Sequence, residues 1–183
     1  MLGRTLTGRV PGVPLSPEGR AQAARLAEWV RGRPVAAVLS SPVQRAQETA
    51  APIAAALGLP VLTEAGLDEV DFGIWAGAAF TDLDPLPDWR AWNAARSLAA
   101  CPGGESMVDA QARALAGISR LHERYPGSEI VLVSHSDVLK SVLAHYLGVP
   151  LDLFQRITLD PASRSVVVLF DANVRVDGIN FPV

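Results

Sequence analysis

One histidine stands where a predicted buried strand passes directly into a predicted helix. The strand is the apolar run at residues 130–133, and Ser134-His135-Ser136-Asp137 follow it. Exposed backbone N–H groups and the helix dipole attract anions at a helix N-terminus, and an imidazole there can donate to phosphate. The pattern indicates a phosphate site around His135, although a histidine bonded only to a loop carbonyl explains it equally well.

An arginine follows the end of a second predicted strand. Ser40-Ser41-Pro42-Val43-Gln44-Arg45 close a short apolar run and open a helix, so Arg45 can turn back toward the strand tip. A guanidinium matches phosphate oxygens with two parallel hydrogen bonds. Taken alone, the pattern more often belongs to a surface arginine paired with Glu48, with Ser40 or Ser41 acting only as a helix cap.

A loop at residues 67–77 contains three carboxylates, Asp68, Glu69 and Asp71, among apolar and aromatic neighbours. Burial against aromatic rings raises the pKa of a carboxyl group, which would make one of them a proton donor near neutral pH. The alternative is a solvated acidic loop anchored by its aromatic residues. The sequence does not distinguish which carboxylate is desolvated.

Strands that alternate with long helices must position these three segments. Apolar periodicity and turn residues predict helices at 17–30, 43–57, 106–125 and 138–147, and strands at 35–39, 59–63, 130–133, 165–170 and 174–181. The last two strands are close enough in sequence to form a hairpin. The pattern also predicts a capping insertion at residues 78–105, which is irregularly helical from 81 to 104. The pattern predicts an α/β fold, a three-layer α/β/α sandwich with a mostly parallel sheet in one domain, where ligands bind beyond the carboxyl ends of the strands.

Composition excludes several classes of protein. The 183 residues are 49% hydrophobic with a formal net charge of -3, so no global charge attracts nucleic acid or an acidic membrane. No apolar run reaches the roughly 20 residues of a membrane helix. Cys101 is the single cysteine, which excludes an intrachain disulfide and a cysteine zinc cluster and fits a cytoplasmic protein. We therefore expect a soluble cytoplasmic protein.

Taken together, the motifs resemble the histidine phosphatase superfamily, the phosphoglycerate-mutase-like enzymes of branch 1. The resemblance runs from Thr5 almost to the end of the chain. It rests on Leu-Thr-Gly-Arg, Pro-Leu-Ser-x-Glu-Gly-Arg-x-Gln-Ala, Ser-Ser-Pro-x-x-Arg-x-x-x-Thr, Leu-x-Glu-x-x-Phe-Gly-x-Trp and Val-x-Val-Ser-His, in that order. It implies transfer of a phosphoryl group from a small phosphorylated substrate to a histidine and then to water or a second hydroxyl, without metal or cofactor.

The resemblance also implies roles for single residues. Arg45 would bind the transferring phosphoryl group, Glu69 would be the proton donor, and His135 would be the second histidine of the phosphate pocket. Arg9 and Ser136 would lie at the pocket rim. Asp71 is an alternative acid, because family members differ in which carboxylate of this loop they use.

The family's nucleophilic histidine belongs to an Arg-His-Gly or Arg-His-Ala motif on the first strand, and the sequence from Met1 contains no such motif. His122 and His145 fall within predicted helices and are expected to be structural. We expect that the complete gene product begins upstream of Met1 and carries the motif; the alternative is a natural truncation that binds phosphate esters without turning them over. Because the first strand is central in this fold, its absence would leave backbone groups of the neighbouring strands unpaired. We expect either a lower stability or a repair of this gap by the chain's own amino terminus or a partner subunit.

A metal-independent phosphatase is the first expectation for the activity. A phosphomutase stays open, because Gly103-Gly104-Glu105-Ser106 resembles the substrate loop of the mutases and the insertion is of intermediate size. A non-catalytic protein that binds a phosphorylated ligand is the second alternative. The resemblance leaves a homodimer open.

Overall fold

The computed structural model describes residues 4–182, which form six α-helices and five strands. The elements are α1 (Pro17–Val30), β1 (Val35–Ser40), α2 (Gln44–Leu57), β2 (Val61–Thr63), α3 (Phe80–Leu83), α4 (Pro87–Ala94), α5 (Met107–Arg124), β3 (Glu129–Val133), α6 (Ser136–Leu147), β4 (Arg164–Leu169) and β5 (Val174–Phe181). Short 3-10 turns lie at Ala65–Leu67, Gly73–Trp75 and Leu151–Arg156. The turn at Leu151–Arg156 and the division of the insertion into α3 and α4 were not predicted from the sequence.

Local signals fix where the main helices begin and end. The Ser16 side chain accepts a hydrogen bond from the Gly19 amide, with proline in the first helical turn of α1. Ser106 and Asp109 form a reciprocal capping box at the start of α5. Gly58 and Gly148 adopt left-handed backbone conformations immediately after α2 and α6, as helix ends often require. These boundaries agree with the sequence to within one or two residues.

The parallel sheet lies between two layers of helices. β1 is its centre and pairs in parallel with β2 on one side and β3 on the other. Val38 of β1 packs with residues of α1 and α2, whereas Ala37 and Leu39 face Leu121 of α5. Since successive side chains of a strand point to opposite faces, helices cover both faces, and the predicted three-layer sandwich is confirmed.

One edge of β3 has no strand partner among residues 4–182. β3 pairs only with β1, and β4 and β5 form a separate antiparallel sheet. All five residues of β3 are half-buried, whereas Ala37–Ser40 of β1 are buried. The outward-facing N–H and C=O groups of β3 therefore lack the sheet partners that buried backbone normally has.

The first described residues do not repair this edge. Leu6 donates its amide to the carbonyl of Ala78, Gly77 donates to the carbonyl of Leu6, and Thr5 bridges Ala79 in antiparallel fashion. The segment is thereby attached to the start of the insertion. The expectation that the amino terminus could fill the gap is wrong for the described residues.

The insertion folds around an aromatic cluster beside the sheet. Trp75 contacts Trp89 and Trp92 edge to face, with ring centroids 5.4 and 6.4 Å apart, and Phe72 contacts Trp92 in the same way. Such pairs add stability beyond the burial of their area.

In the part of the chain that the structure describes, no helix has the length and apolar character needed to cross a membrane.

Candidate active site

Three side chains predicted from separate motifs meet beyond the carboxyl ends of β1 and β3. Arg45 lies in the first turn of α2, and His135 is the residue immediately before α6. Glu69 comes from the loop between the first two 3-10 turns. Arg45 Nη2 is 3.0 Å from Glu69 Oε2 and 3.0 Å from His135 Nδ1, and Glu69 Oε2 is 3.3 Å from the same nitrogen. The fold thus assembles an arginine, a carboxyl group and a histidine in direct contact.

The hydrogen bonds define the state of the His135 ring. Nδ1 faces Arg45, which can only donate, so Nδ1 must accept. The ring proton then lies on Nε2, which is 2.8 Å from Ser41 Oγ. Burial and, to a smaller extent, the charges of Arg45, Arg113 and Arg9 together lower the pKa of His135 to about 3. His135 is therefore a neutral imidazole at physiological pH.

Glu69 is poised to hold a proton near neutral pH. Its side chain is 14% exposed, and burial raises its pKa to about 7, opposed by a hydrogen bond from the Val70 amide and by Arg45. A protonated Glu69 can donate to the single lone pair of His135 Nδ1 only in place of Arg45, whereas an ionised Glu69 accepts from Arg45. A carboxyl group with a pKa close to the working pH is suited to act as a general acid.

Arg45 has unused hydrogen-bonding capacity. Its Nη2 contacts Glu69, His135 and the carbonyl of Gly8. Its Nη1 is buried and has no hydrogen-bond partner among residues 4–182. A buried donor of this kind costs free energy unless it is paired, and phosphoryl oxygens are the natural acceptors for a guanidinium.

Comparison with known proteins identifies the family. The family model for the histidine phosphatase superfamily (branch 1) matches residues 3–182. The chain belongs to branch 1 of the histidine phosphatase superfamily.

Relatives in this superfamily have named activities. Phosphoserine phosphatase 1 of Hydrogenobacter thermophilus is 31% identical over 155 residues, which cover 84% of this chain and 74% of that protein. The bifunctional protein Rv2228c of Mycobacterium tuberculosis is 37% identical over 139 residues, covering 74% of this chain but 38% of Rv2228c. The chain therefore spans well under half the length of the first curated relatives that it matches.

A solved structure has the same fold. The mycobacterial glucosyl-3-phosphoglycerate phosphatase Rv2419c superposes with a TM-score of 0.86 at 26% identity, covering 99% of this chain and 92% of that one. The predicted phosphoglycerate-mutase-like α/β fold is confirmed.

The remaining predicted site residues lie in different surroundings. Ser136 is exposed in the first turn of α6, next to His135. Arg9 points its guanidinium at the Glu69 carbonyl, 2.7 Å away, and at three carboxylates rather than into open space. Asp71 is 46% exposed and accepts from the Gly73 amide. Glu69, not Asp71, is the carboxyl group in contact with Arg45 and His135.

Ser41 has a role that the sequence did not distinguish from capping, and Ser134 makes a contact that the sequence did not predict. Ser41 Oγ accepts from His135 Nε2 and from the Val43 amide, and it is completely buried. Ser134 Oγ donates to the Leu67 carbonyl at 2.6 Å. This bond joins the turn that contains His135 to the loop at residues 67–77, which we call the acid loop. The sequence signal for Ser41 was its position immediately after a buried strand. That position does not distinguish a serine that caps a helix from one that bonds a histidine.

Glu105 and Arg113 are contacts of the acid loop that sequence reasoning missed. Arg113 Nη2 is 2.9 Å from the Glu69 carbonyl and 2.7 Å from Glu105 Oε1. The only signal for Arg113 was a charged residue beside the buried stripe of α5.

The other two histidines lie outside the cluster. His145 contacts Tyr146 edge to face near the end of α6, and His122 lines a separate cavity beside Phe170. Within residues 4–182, no group of three or more His, Cys, Asp or Glu side chains is arranged to hold a metal ion.

Proposed function

We propose that the protein is a metal-independent phosphatase of small phosphomonoesters that acts through a phosphohistidine in the complete gene product. The observation that carries the proposal is the contact of Arg45, Glu69 and His135, with a carboxyl pKa of about 7 beside a neutral imidazole. This set can bind an anion, stabilise developing charge and supply a proton without a metal.

Each side chain has a distinct part in the proposed reaction. Arg45 would bind the equatorial oxygens of the phosphoryl group in place of Glu69. His135 would donate its Nε2–H to one of these oxygens after its ring turns away from Ser41, which Nε2 now contacts. Protonated Glu69 then donates to the oxygen of the leaving alcohol. The resulting carboxylate can accept a proton from the water that attacks the phosphohistidine.

The nucleophile in this proposal comes from a strand that pairs with the open edge of β3. A strand parallel to β3 would end at the same edge of the sheet as β3, which would put its last residue beside His135. A cavity of about 660 Å³ lies beyond the amino-terminal end of β3, between the end of α5 and the β4–β5 turn. The unpaired backbone of β3 supplies the reason for a strand to bind at its open edge.

The contacts of Glu105 and Ser106 favour a phosphatase over a mutase. The argument for a mutase depends on Gly103-Gly104-Glu105-Ser106 contacting substrate. Glu105 instead binds Arg9, Arg113 and the Asp71 amide. Ser106 is engaged with Asp109 at the start of α5, so this loop has little capacity left to hold a second substrate hydroxyl.

Hydrolysis of p-nitrophenyl phosphate in EDTA tests the proposal. The 183-residue chain is compared with the same chain extended by the codons that precede Met1 in its gene, and each is compared with its Arg45→Ala variant. Turnover confined to the extended protein and lost with Arg45 is the expected result. Turnover by the short chain contradicts a nucleophile carried on an added strand. No turnover by either form, with orthophosphate still bound through Arg45, would identify a phospholigand-binding protein instead.

A further inference from the structure

Two arginines donate to the backbone carbonyl of the proposed acid rather than to its carboxyl group, and a glutamate joins the two arginines. The Glu69 carbonyl accepts from Arg9 Nε at 2.7 Å and from Arg113 Nη2 at 2.9 Å. Glu105 lies between the two arginines, with Oε1 3.0 Å from Arg9 Nη2 and 2.7 Å from Arg113 Nη2. We call Arg9, Glu105 and Arg113 the acid clamp.

The acid clamp is almost fully hydrogen-bonded and partly shielded from water. The Glu105 side chain is 16% exposed, and its second oxygen accepts from Arg113 Nε at 3.0 Å. The remaining nitrogen of Arg113, Nη1, donates to the Gly66 carbonyl at 2.8 Å. Bidentate, partly desolvated pairs of this kind hold their geometry far better than exposed ion pairs.

The clamp also fixes the loop on the other side of Glu69. The Asp71 amide donates to Glu105 Oε1, and the Glu105 amide donates to the Asp71 carbonyl, both at 2.9 Å. The two segments approach so closely that a Cβ added at Gly104 would lie 2.1 Å from the Asp71 carbonyl oxygen. The acid clamp therefore holds both the backbone carbonyl of Glu69 and the residue two positions beyond it.

We propose that Glu105 and Arg113, together with Arg9, are positioning residues that hold Glu69 in place to protonate the leaving group. The proposal rests on the proposed phosphatase activity and deepens it. It assigns Arg9 to the acid rather than to the phosphate, because each of its guanidinium nitrogens faces a carbonyl or carboxylate oxygen. A displacement of about 1 Å in such a group is enough to cost on the order of a hundredfold in rate.

Leaving-group dependence separates positioning of the acid from general stability. p-Nitrophenol leaves readily without a proton, whereas the alcohol of glycerol 2-phosphate needs one. In the extended protein, Glu105→Gln and Arg113→Lys should lower kcat/KM for glycerol 2-phosphate at least about tenfold more than for p-nitrophenyl phosphate. Equal losses on both substrates, or no loss on either, would overturn the proposal.

Arg120→Gln is the matched control. Arg120 lies on the same helix and pairs with Glu64 at 3.1 Å, but its side chain is 62% exposed and does not contact Glu69. In this variant the ratio of kcat/KM for glycerol 2-phosphate to kcat/KM for p-nitrophenyl phosphate should equal that of the wild type. Thermal unfolding of all variants identifies any that fail to fold.

A titration that needs no turnover distinguishes failure of this inference from failure of the proposed function. The Glu69 carboxyl carbon is followed by 13C NMR in the 183-residue chain, with assignment from Glu69→Gln. If the clamp excludes water from Glu69, Glu105→Gln and Arg113→Lys should both lower its pKa by about one unit or more toward the ordinary value. A lower Glu69 pKa in Glu105→Gln alone would reflect the lost charge, because Arg113→Lys keeps its charge, and this result would contradict positioning. An unchanged Glu69 pKa in both variants would also contradict it.

Discussion

The pH dependence of stability provides a direct test of the proton on Glu69. The folded protein raises the pKa of this carboxyl group from 4.5 to about 7, so the native state keeps a proton that the unfolded chain releases. Native stability is therefore greatest below the unfolded pKa and falls as pH rises from about 4.5 to 7. Glu69→Gln removes this titration while keeping the shape of the side chain.

The size of the effect follows from the two pKa values. From pH 5 to pH 8 the raised pKa of Glu69 lowers the unfolding free energy of the wild type by about 2 to 3 kcal/mol. The glutamine variant does not show this decrease. His135 titrates in both proteins in the opposite sense: because its native pKa is lowered to about 3, stability rises as pH increases from about 3 to 6.5. The difference between wild type and variant isolates Glu69.

Urea unfolding of both proteins at pH 5 and pH 8 measures this difference. We expect the stability of Glu69→Gln relative to wild type to improve by about 2 to 3 kcal/mol on going to pH 8. A relative stability that does not change with pH would refute the raised pKa. A change in favour of the wild type at pH 8 would mean that Arg45 holds Glu69 ionised.

Three further substitutions test other contacts. Arg45→Lys keeps a positive charge but loses the guanidinium fork, and isothermal titration should show orthophosphate binding at least about tenfold weaker, whereas equal affinity would contradict a direct role. Ser41→Ala removes the partner of His135 Nε2 and should lower the unfolding free energy by about 1 to 3 kcal/mol in urea; a neutral effect would argue against that hydrogen bond. Gly104→Ala places a methyl group against the Asp71 carbonyl and should cost about 1 to 3 kcal/mol in the same assay, with an unchanged midpoint contradicting the close approach of the two loops.

The sequence predicted the fold because local and global signals agree. Ser16, Ser106, Gly58 and Gly148 mark helix ends, and β1 carries an apolar run buried on both faces. The 3-10 turn at 151–156 was missed, since six residues after a proline carry too little periodicity to identify it. The division of the insertion depended on aromatic packing between distant residues, which no local pattern records.

The site was predictable only in part. Arg45 and His135 follow strand ends, where ligands of α/β folds bind, and their convergence follows from a parallel sheet. The choice of Glu69 over Asp71 required three-dimensional burial: Glu69 is 14% exposed and Asp71 is 46% exposed. Arg113 was not foreseeable, because its contact with the Glu69 carbonyl spans 44 residues and its spacing along α5 is that of an ordinary surface arginine.

Trapping of the phosphoenzyme tests the central claim most directly. The extended protein is mixed with a 32P-labelled phosphomonoester in EDTA, quenched in alkali, and examined for protein-bound phosphate that acid releases, as a phosphoramidate requires. The account predicts such a label on a histidine upstream of Met1, with accumulation reduced in Arg45→Ala. A label on His135, or turnover with no labelled protein at all, would contradict it.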